Sequence, residues 1–313
     1  MRTWSAAALI SNGQKVGMIE LYDKDRIVHI KGVDHPESIA IGPRGEAYTT
    51  GTGCQVYRLN LEDNVGEQFA STEARCLGTA VDADGNLYAA HTAGDVLKIT
   101  PDGEVSVYGT PEEGEVFHCT NYPAFDRQGR MYVSESGDWS GELNGRIYRI
   151  EPGGGEAIPW YPDPVDTPNA IALDAEEQNL YFVETFGAGI ARVAIEADGS
   201  AGKLERVLHM PRHVPDGIAF DTEGRLWIAC HRPDVIYIFD LDSNRLTLFA
   251  EDWMGEALRG PTDVAFAGPN RDILLAASLD NLVVHRFDKD PSPANTSELP
   301  TLLNFPIQQC WPE

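Results

Sequence analysis

The chain has 313 residues with 49 acidic and 24 basic side chains, a formal net charge of −25. That balance excludes nucleic acid and other polyanions as partners, because their charges would be repelled. No apolar run is long enough to cross a bilayer, and the run at residues 6–10 is too short for a signal-peptide core. The five cysteines (Cys54, Cys76, Cys119, Cys230, Cys310) are odd in number and form no C-x-x-C, which fits a reducing compartment better than a disulfide framework. The expectation is a soluble, cytoplasmic protein with no nucleic-acid or membrane partner; composition is silent on oligomeric state.

Residues 1–33 precede the first full copy of a repeat and contain two extended-looking segments, 15–22 and 26–30. The repeat reads as a polar residue, an alternating apolar strand, an Asp-x-x-Gly turn and a second strand opening on Leu-Tyr or Leu-Trp. A loose first copy starts at Pro36-Glu37-Ser38-Ile39. Clearer copies follow at Cys76-Leu77-Gly78 running to Leu87-Tyr88, at Asn121-Tyr122-Pro123 running to Met131-Tyr132, and at Pro168-Asn169-Ala170 running to Leu180-Tyr181. The clearest is Pro215-Asp216-Gly217 running to Leu226-Trp227, and a loose sixth begins at Pro261-Thr262-Asp263. Intervals of roughly 40–50 residues are those of a propeller whose blades have four strands each. A third strand is visible in most copies, as at Val56-Tyr57-Arg58-Leu59 and Ile147-Tyr148-Arg149-Ile150, with apolar and polar residues alternating. A fourth, such as residues 104–108, lies outermost. The fold expected is therefore all-β: a six-bladed β-propeller of four-stranded antiparallel blades, residues 1–313 forming one domain. The segment 1–33 completes the last blade, with residues 299–305 as the other contributor, which removes an open sheet edge. No helical period, phosphate loop, HExxH or GxSxG is present.

Superposing the copies on their turn residues compares one position around the ring. Glu37, Leu77, Asn121 and Asp216 share a slot just before the innermost strand. Asn169 joins them if one residue is inserted in the turn, and Thr262 or Asp263 takes the sixth place. The slot faces the mouth of the central channel. Glu37, Asn121, Asn169 and Asp216 together offer two carboxylates and two neutral oxygens, a set suited to a hard divalent cation. Singly, each reads equally as a turn cap; the argument rests on their common slot. Oxygen-only ligands favour calcium, with magnesium, manganese and zinc as alternatives.

The ordered set Glu37-Ser38, Asn121, Thr167-Pro168-Asn169-Ala170, and Pro215-Asp216-Gly217 with Gly224-Arg225-Leu226-Trp227 resembles the senescence marker protein/gluconolactonase/luciferin-regenerating-enzyme family, from about His35 to Phe287. The resemblance implies a six-bladed propeller holding one divalent metal on these four side chains. It also implies hydrolysis of a lactone or related ester, with the metal as Lewis acid and Asp216 as acceptor of the water proton. Sugar-lactone hydrolases of that family commonly carry Arg two residues before the third-blade Asn and Asp-Gly after it. Here Cys119 and Tyr122-Pro123 stand in those places, which points to a less polar lactone or ester than gluconolactone.

Further substrate contacts are expected from Cys119, Tyr122, Glu135, Trp139, Phe186 and His231, with Arg232, His118 and His213 near the mouth by sequence. Trp139 and Phe186 either line the mouth or pack between blades. Glu135 is either a pocket group or a solvated loop charge, and Cys119 reads as an inert filler rather than a nucleophile. Two other readings stay open: a non-catalytic propeller whose ion is structural, acting as a binding scaffold, and a strictosidine-synthase-like enzyme on the same ring, which would not need the four-residue set.

Overall fold

A computed structural model describes residues 22–288. Among them are twenty-four strands and one short 3-10 turn, Lys24–Arg26. No helix of the described residues is long and apolar enough to cross a membrane. The strands run in antiparallel groups of four. The first group is β2 (Ile39–Ile41), β3 (Ala47–Thr50), β4 (Gln55–Asn60) and β5 (Val65–Ser71). The second is β6 (Cys76–Val81), β7 (Leu87–His91), β8 (Asp95–Ile99) and β9 (Val105–Pro111). The third is β10 (Thr120–Phe125), β11 (Met131–Glu135), β12 (Arg146–Ile150) and β13 (Gly155–Pro159). The fourth is β14 (Pro168–Leu173), β15 (Asn179–Glu184), β16 (Gly189–Ile195) and β17 (Ala201–His209). The fifth is β18 (Val214–Phe220), β19 (Leu226–Arg232), β20 (Val235–Asp240) and β21 (Arg245–Glu251). The last sheet joins β22 (Pro261–Ala267), β23 (Ile273–Ser278) and β24 (Val283–Asp288) to β1 (Val28–Ile30) from the other end of the described chain.

The repeated Asp explains why each copy folds alike. Asp221 Oδ1 accepts from the backbone N–H of Glu223 at 2.9 Å and of Arg225 at 3.0 Å. Its Oδ2 accepts from Arg225 Nε at 2.7 Å and from the buried indole Nε1–H of Trp227 at 2.9 Å. One carboxylate thus closes the turn and orients the aromatic that opens the next strand. Asp82 does the same with Asn86 and Tyr88, and Asp126 closes its turn with Gln128 and Arg130.

The apolar faces these turns align are buried between consecutive groups. Tyr48 and Val56 of the first group pack with Val81 and Leu87 of the second. Tyr132 and Ile147 of the third pack with Leu180 and Phe182 of the fourth. Ile39 and Ile41 of the first pack with Leu275 and Val284 of the last, so the series closes on itself. This is a propeller architecture: sheets stacked face to face around an axis, the first strand of each group innermost.

Two details depart from the sequence reading. The second and third groups are fused into one eight-stranded sheet, because the outer strands β9 and β13 pair in parallel, with Gly109 opposite Gly155. A Cβ at Gly109 would fall 2.3 Å from Ile150 Cδ1, so the close approach of the edges depends on a residue without a side chain. Arg26, expected in an extended segment, belongs instead to the 3-10 turn capped by Asp23, whose Oδ1 accepts from Asp25 N at 3.1 Å. The other expected extended segment, apart from Tyr22, and the tail 299–305 lie outside the described residues.

Candidate active site

Each inner strand begins at one end of the ring, where the loops after the second strands also arrive. At that mouth a relay of hydrogen bonds joins the slot residues from group to group. Asn121 Nδ2 donates to Ser136 Oγ at 2.8 Å, and Ser136 Oγ donates at 2.8 Å to the carbonyl of Pro168, the residue before Asn169. Asn169 Nδ2 stands 3.3 Å from Thr185 Oγ1, which reaches the carbonyl of Pro215, the residue before Asp216, at 3.5 Å. Thr262 Oγ1 donates at 2.8 Å to the carbonyl of Glu37, and Ser38 Oγ at 2.7 Å to that of Leu77. A hydroxyl of one group therefore holds the slot of the next, and the amide nitrogen of Asn121 is turned to Ser136.

Glu37 and Asp216 lie close enough to perturb each other. Asn121, Asn169 and Asp216 are buried, and the Glu37 side chain keeps only 16% of its surface exposed. Burial, then the charges of Glu37 and Asp263, pushes the Asp216 carboxyl well above its ordinary range, against a hydrogen bond from Asn169 and the charge of Arg75. Burial also raises Glu37, opposed by Arg75 and His231. Three carboxylates thus crowd one small volume.

Sequence reasoning missed one member of this cluster and offered another only as an alternative. Arg75 ion-pairs through Nη2 with Glu37 Oε2, and its Nε is buried without a hydrogen-bond partner. Arg75 lies two residues before Leu77, the offset at which Cys119 precedes Asn121; comparing that offset in every copy would have found it. Asp263 was left as one of two choices for the sixth slot. Its Oδ2 accepts from Ile39 N at 2.8 Å and from the Tyr122 hydroxyl at 2.9 Å, and its Oδ1 from Val264 N at 2.8 Å. Burial lifts it to about 7 in spite of these donors.

Tyr122 differs from its expected role as an open substrate contact. It reaches across the axis from the third group to the last, packed over Gly78, where a Cβ would meet its ring at 2.3 Å. Beyond it, away from the slots, the inner strands enclose an apolar cavity of about 130 Å³ lined by residues such as Ile39, Ile171, Ile218 and Val264. Tyr122 is therefore a partition between the acidic mouth and this inner cavity.

The remaining candidates separate by environment. Glu135 is buried, and its Oε1 accepts from the backbone N–H of His118 at 2.9 Å, Cys119 at 2.8 Å and Gly137 at 3.2 Å, which rules out a solvated loop charge. Burial raises the Cys119 thiol and keeps it protonated, the state of a filler. Trp139 and Phe186 are 43% and 51% exposed and touch each other edge to face at 5.6 Å, so they are not packing between sheets. His231 Nε2 stands 3.4 Å from Asp280 without completing a hydrogen bond, and Arg232 is tied to Asp280 and Asp234. His213 Nε2 lies 3.1 Å from the Tyr237 hydroxyl; the His118 side chain is exposed. Among the described residues, no group of three or more His, Cys, Asp or Glu side chains has a metal-ligating arrangement.

Known proteins are similar to this chain in sequence and in fold. The lactonase drp35 of Staphylococcus saprophyticus is 22% identical over 246 residues, 73% of this chain and 74% of that protein. Drp35 of Staphylococcus haemolyticus is 21% identical over 60% of each chain. Among solved structures, a gluconolactonase of Xanthomonas campestris superposes with a TM-score of 0.72 at 18% identity, over 83% of this chain and 88% of that one. A calcium-binding regucalcin of Agrobacterium tumefaciens gives 0.67 at 18% identity, over 82% and 90%. Residues 52–280 match the family described as the SMP-30/Gluconolactonase/LRE-like region, and the chain belongs to that family.

Proposed function

We propose that the protein is a divalent-metal-dependent hydrolase that opens a lactone, or a related ester, at the mouth of a single six-bladed propeller domain. In this reading the eight-stranded sheet counts as two blades and β1 completes the last. The observation that carries the proposal is the hydrogen-bonded relay joining Asn121, Asn169 and Asp216, with Glu37 facing Asp216. Family membership and relatives named as lactonases supply the reaction class.

The donor set fits a hard cation. It is oxygen-only, the amide nitrogen of Asn121 is turned to Ser136, and the excess of buried carboxylate is the kind of charge a divalent ion relieves. Glu37 retains Oε1 for such a ligand while Oε2 stays with Arg75. The four side chains Glu37, Asn121, Asn169 and Asp216 would hold the ion, calcium being favoured by the ligand type. When bound, it supplies Lewis acidity at the acyl oxygen.

The chain's own groups do the rest. The Asp216 carboxylate accepts a proton from the attacking water. Glu135 holds the backbone of His118 and Cys119, and with it the wall beside Asn121. Tyr122 closes the channel floor and keeps bulk water from reaching the carboxylates through the inner cavity. His231 and Arg75 flank Glu37 and present N–H donors at the mouth. Cytoplasmic location is part of the same proposal and rests on the cysteine pattern.

The test is a panel of lactones and aryl esters, run with metal-stripped protein and with calcium, magnesium, manganese and zinc restored singly. Turnover that returns with one ion supports the reading. Ion binding with no turnover of any member leaves only a structural ion.

A further inference from the structure

Two large aromatic side chains stand in water at the mouth. Trp139, in the loop after β11, is 43% exposed, and Phe186, in the turn after β15, is 51% exposed. Their ring centroids are 5.6 Å apart with an interplanar angle of 82°, the edge-to-face geometry aromatic pairs prefer. They come from different sheets, so the pair bridges the seam between the third and fourth groups.

The Trp139 loop is held by its own hydrogen bonds, and the Phe186 ring rests against the indole. Trp139 sits at φ 57°, an uncommon conformation for a residue with a side chain. The Asp138 carboxylate holds its loop, Oδ1 accepting from Ser140 N at 3.0 Å and from Asn144 Nδ2 at 2.5 Å. The Trp139 side chain lies near Cys119, two residues before Asn121. Phe186 follows Thr185, the hydroxyl beside Asn169. The aromatic surface thus begins next to two of the four axial side chains. Val116 and Leu143, 69% and 59% exposed on neighbouring mouth loops, continue it outward. Singly exposed apolar residues need no explanation, but ordered aromatic rings beside a polar site mark a ligand surface.

We propose that Trp139 and Phe186 form an apolar wall that binds an alkyl or aryl substituent of the substrate, so that the protein acts on lactones bearing an extended apolar chain rather than on polyhydroxylated sugar lactones. The inference rests on the lactonase reading and adds the substrate class. The ester group lies over Asn121 and Asn169, and the chain runs outward across the indole toward Leu143. Each methylene that leaves water for this wall is worth roughly a threefold to fourfold gain in affinity.

The experiment has a kinetic arm and a binding arm. The kinetic arm measures kcat/KM for γ-lactones from γ-butyrolactone to γ-undecalactone, with glucono-δ-lactone alongside. A rise of roughly threefold per methylene over about four carbons, carried by KM, is expected. Trp139→Ala and Phe186→Ala should flatten the series, and Trp139→Phe should keep most of its slope. The binding arm titrates 2-heptylcyclopentanone, which has the carbonyl and the chain but no bond to hydrolyse. It follows the fluorescence change lost in Trp139→Phe and the affinity lost in Phe186→Ala. A flat series in an active enzyme, or ketone affinity indifferent to both alanine variants, overturns the wall. Ketone binding that depends on both rings, with no lactone turned over, keeps the wall and refutes the lactonase reading. Absence of both rejects the two together.

Discussion

Replacing Tyr122 by Phe removes one hydroxyl from the least accessible part of the site. The hydroxyl donates at 2.9 Å to Asp263 Oδ2, an oxygen that otherwise keeps only the Ile39 amide at 2.8 Å. Asp263 is 1% exposed, so water does not replace the lost donor. A hydrogen bond to a charged group contributes about 1.5–3 kcal/mol, and the phenyl ring still fills the space over Gly78, so no cavity term is added. For a chain of this size each kcal/mol moves the melting temperature by roughly 2 °C. Tyr122→Phe should therefore melt about 3–6 °C below the wild type at pH 9, where Asp263, lifted to about 7, is ionised. Differential scanning calorimetry of the two proteins with metal removed reads the shift directly. Asp263→Asn, which cannot carry the buried charge, should shrink the effect of Tyr122→Phe when the two are combined. The reasoning fails if Tyr122→Phe melts with the wild type and instead raises KM, the behaviour of an open substrate contact.

Asp216→Asn should lose at least about a thousandfold in turnover while raising the stability of the metal-free protein, since one of three crowded carboxylates is gone; an enzyme keeping most of its rate would remove Asp216 from the chemistry. Arg75→Met strips Glu37 of its guanidinium and should cost roughly 1–2 kcal/mol without metal, with calcium restoring more stability than it adds to the wild type; an equal calcium effect in both proteins would separate Arg75 from the ion site. The ring-closing strands carry a pH dependence. His285 is buried beside His29, Nδ1 to Nδ1 at 3.1 Å, and burial, then the neighbouring imidazole, pushes it down to about 3 from an ordinary value of 6.5. A depressed pKa favours the neutral folded form, so this stability is full above about pH 6.5 and drains as pH falls towards 3, by roughly 1.4 kcal/mol per unit. Urea unfolding at pH 7 and 4.5 should show about 2–3 kcal/mol of loss that His285→Gln lacks, and matching pH profiles for the two proteins would dismiss it.

What could be read from the sequence was whatever one residue does alone and repeatedly. Asp82, Asp126 and Asp221 each close their turn, and Asp82 and Asp221 also orient the next strand's aromatic, so their spacing recurs and the repeat shows itself. The slot of Glu37, Asn121, Asn169 and Asp216 followed because strand length from turn to mouth is nearly constant. What stayed hidden depends on reach between groups. Arg75 belongs to the cluster only because its side chain crosses from the second group to Glu37 in the first. Tyr122 looked like a mouth residue because it neighbours Asn121, yet successive strand residues point to opposite sides, and its ring turns inward to Asp263. The fusion of β9 with β13 depends on two edge backbones meeting at Gly109 and Gly155, a contact between residues about 45 apart that no periodicity encodes.

The same distinction separates the two halves of the mouth. Its polar half is cross-linked: the backbone carbonyl at or beside the slots of Glu37, Leu77, Asn169 and Asp216 is held by a hydroxyl of the preceding group, so a shift in one sheet is felt by the next. Its aromatic half, Trp139 and Phe186, is tied down only by the Asp138 turn and by the contact of the two rings. Catalytic geometry tolerates displacements of less than about 1 Å before rate is lost, whereas an apolar wall tolerates rotation of a ring. The rigid relay of Asn121, Ser136, Asn169, Thr185 and Asp216 is thus where a reaction common to the family would reside. The loops bearing Trp139 and Phe186 are where this chain can differ from its relatives in what it accepts, without disturbing the residues that would hold the ion.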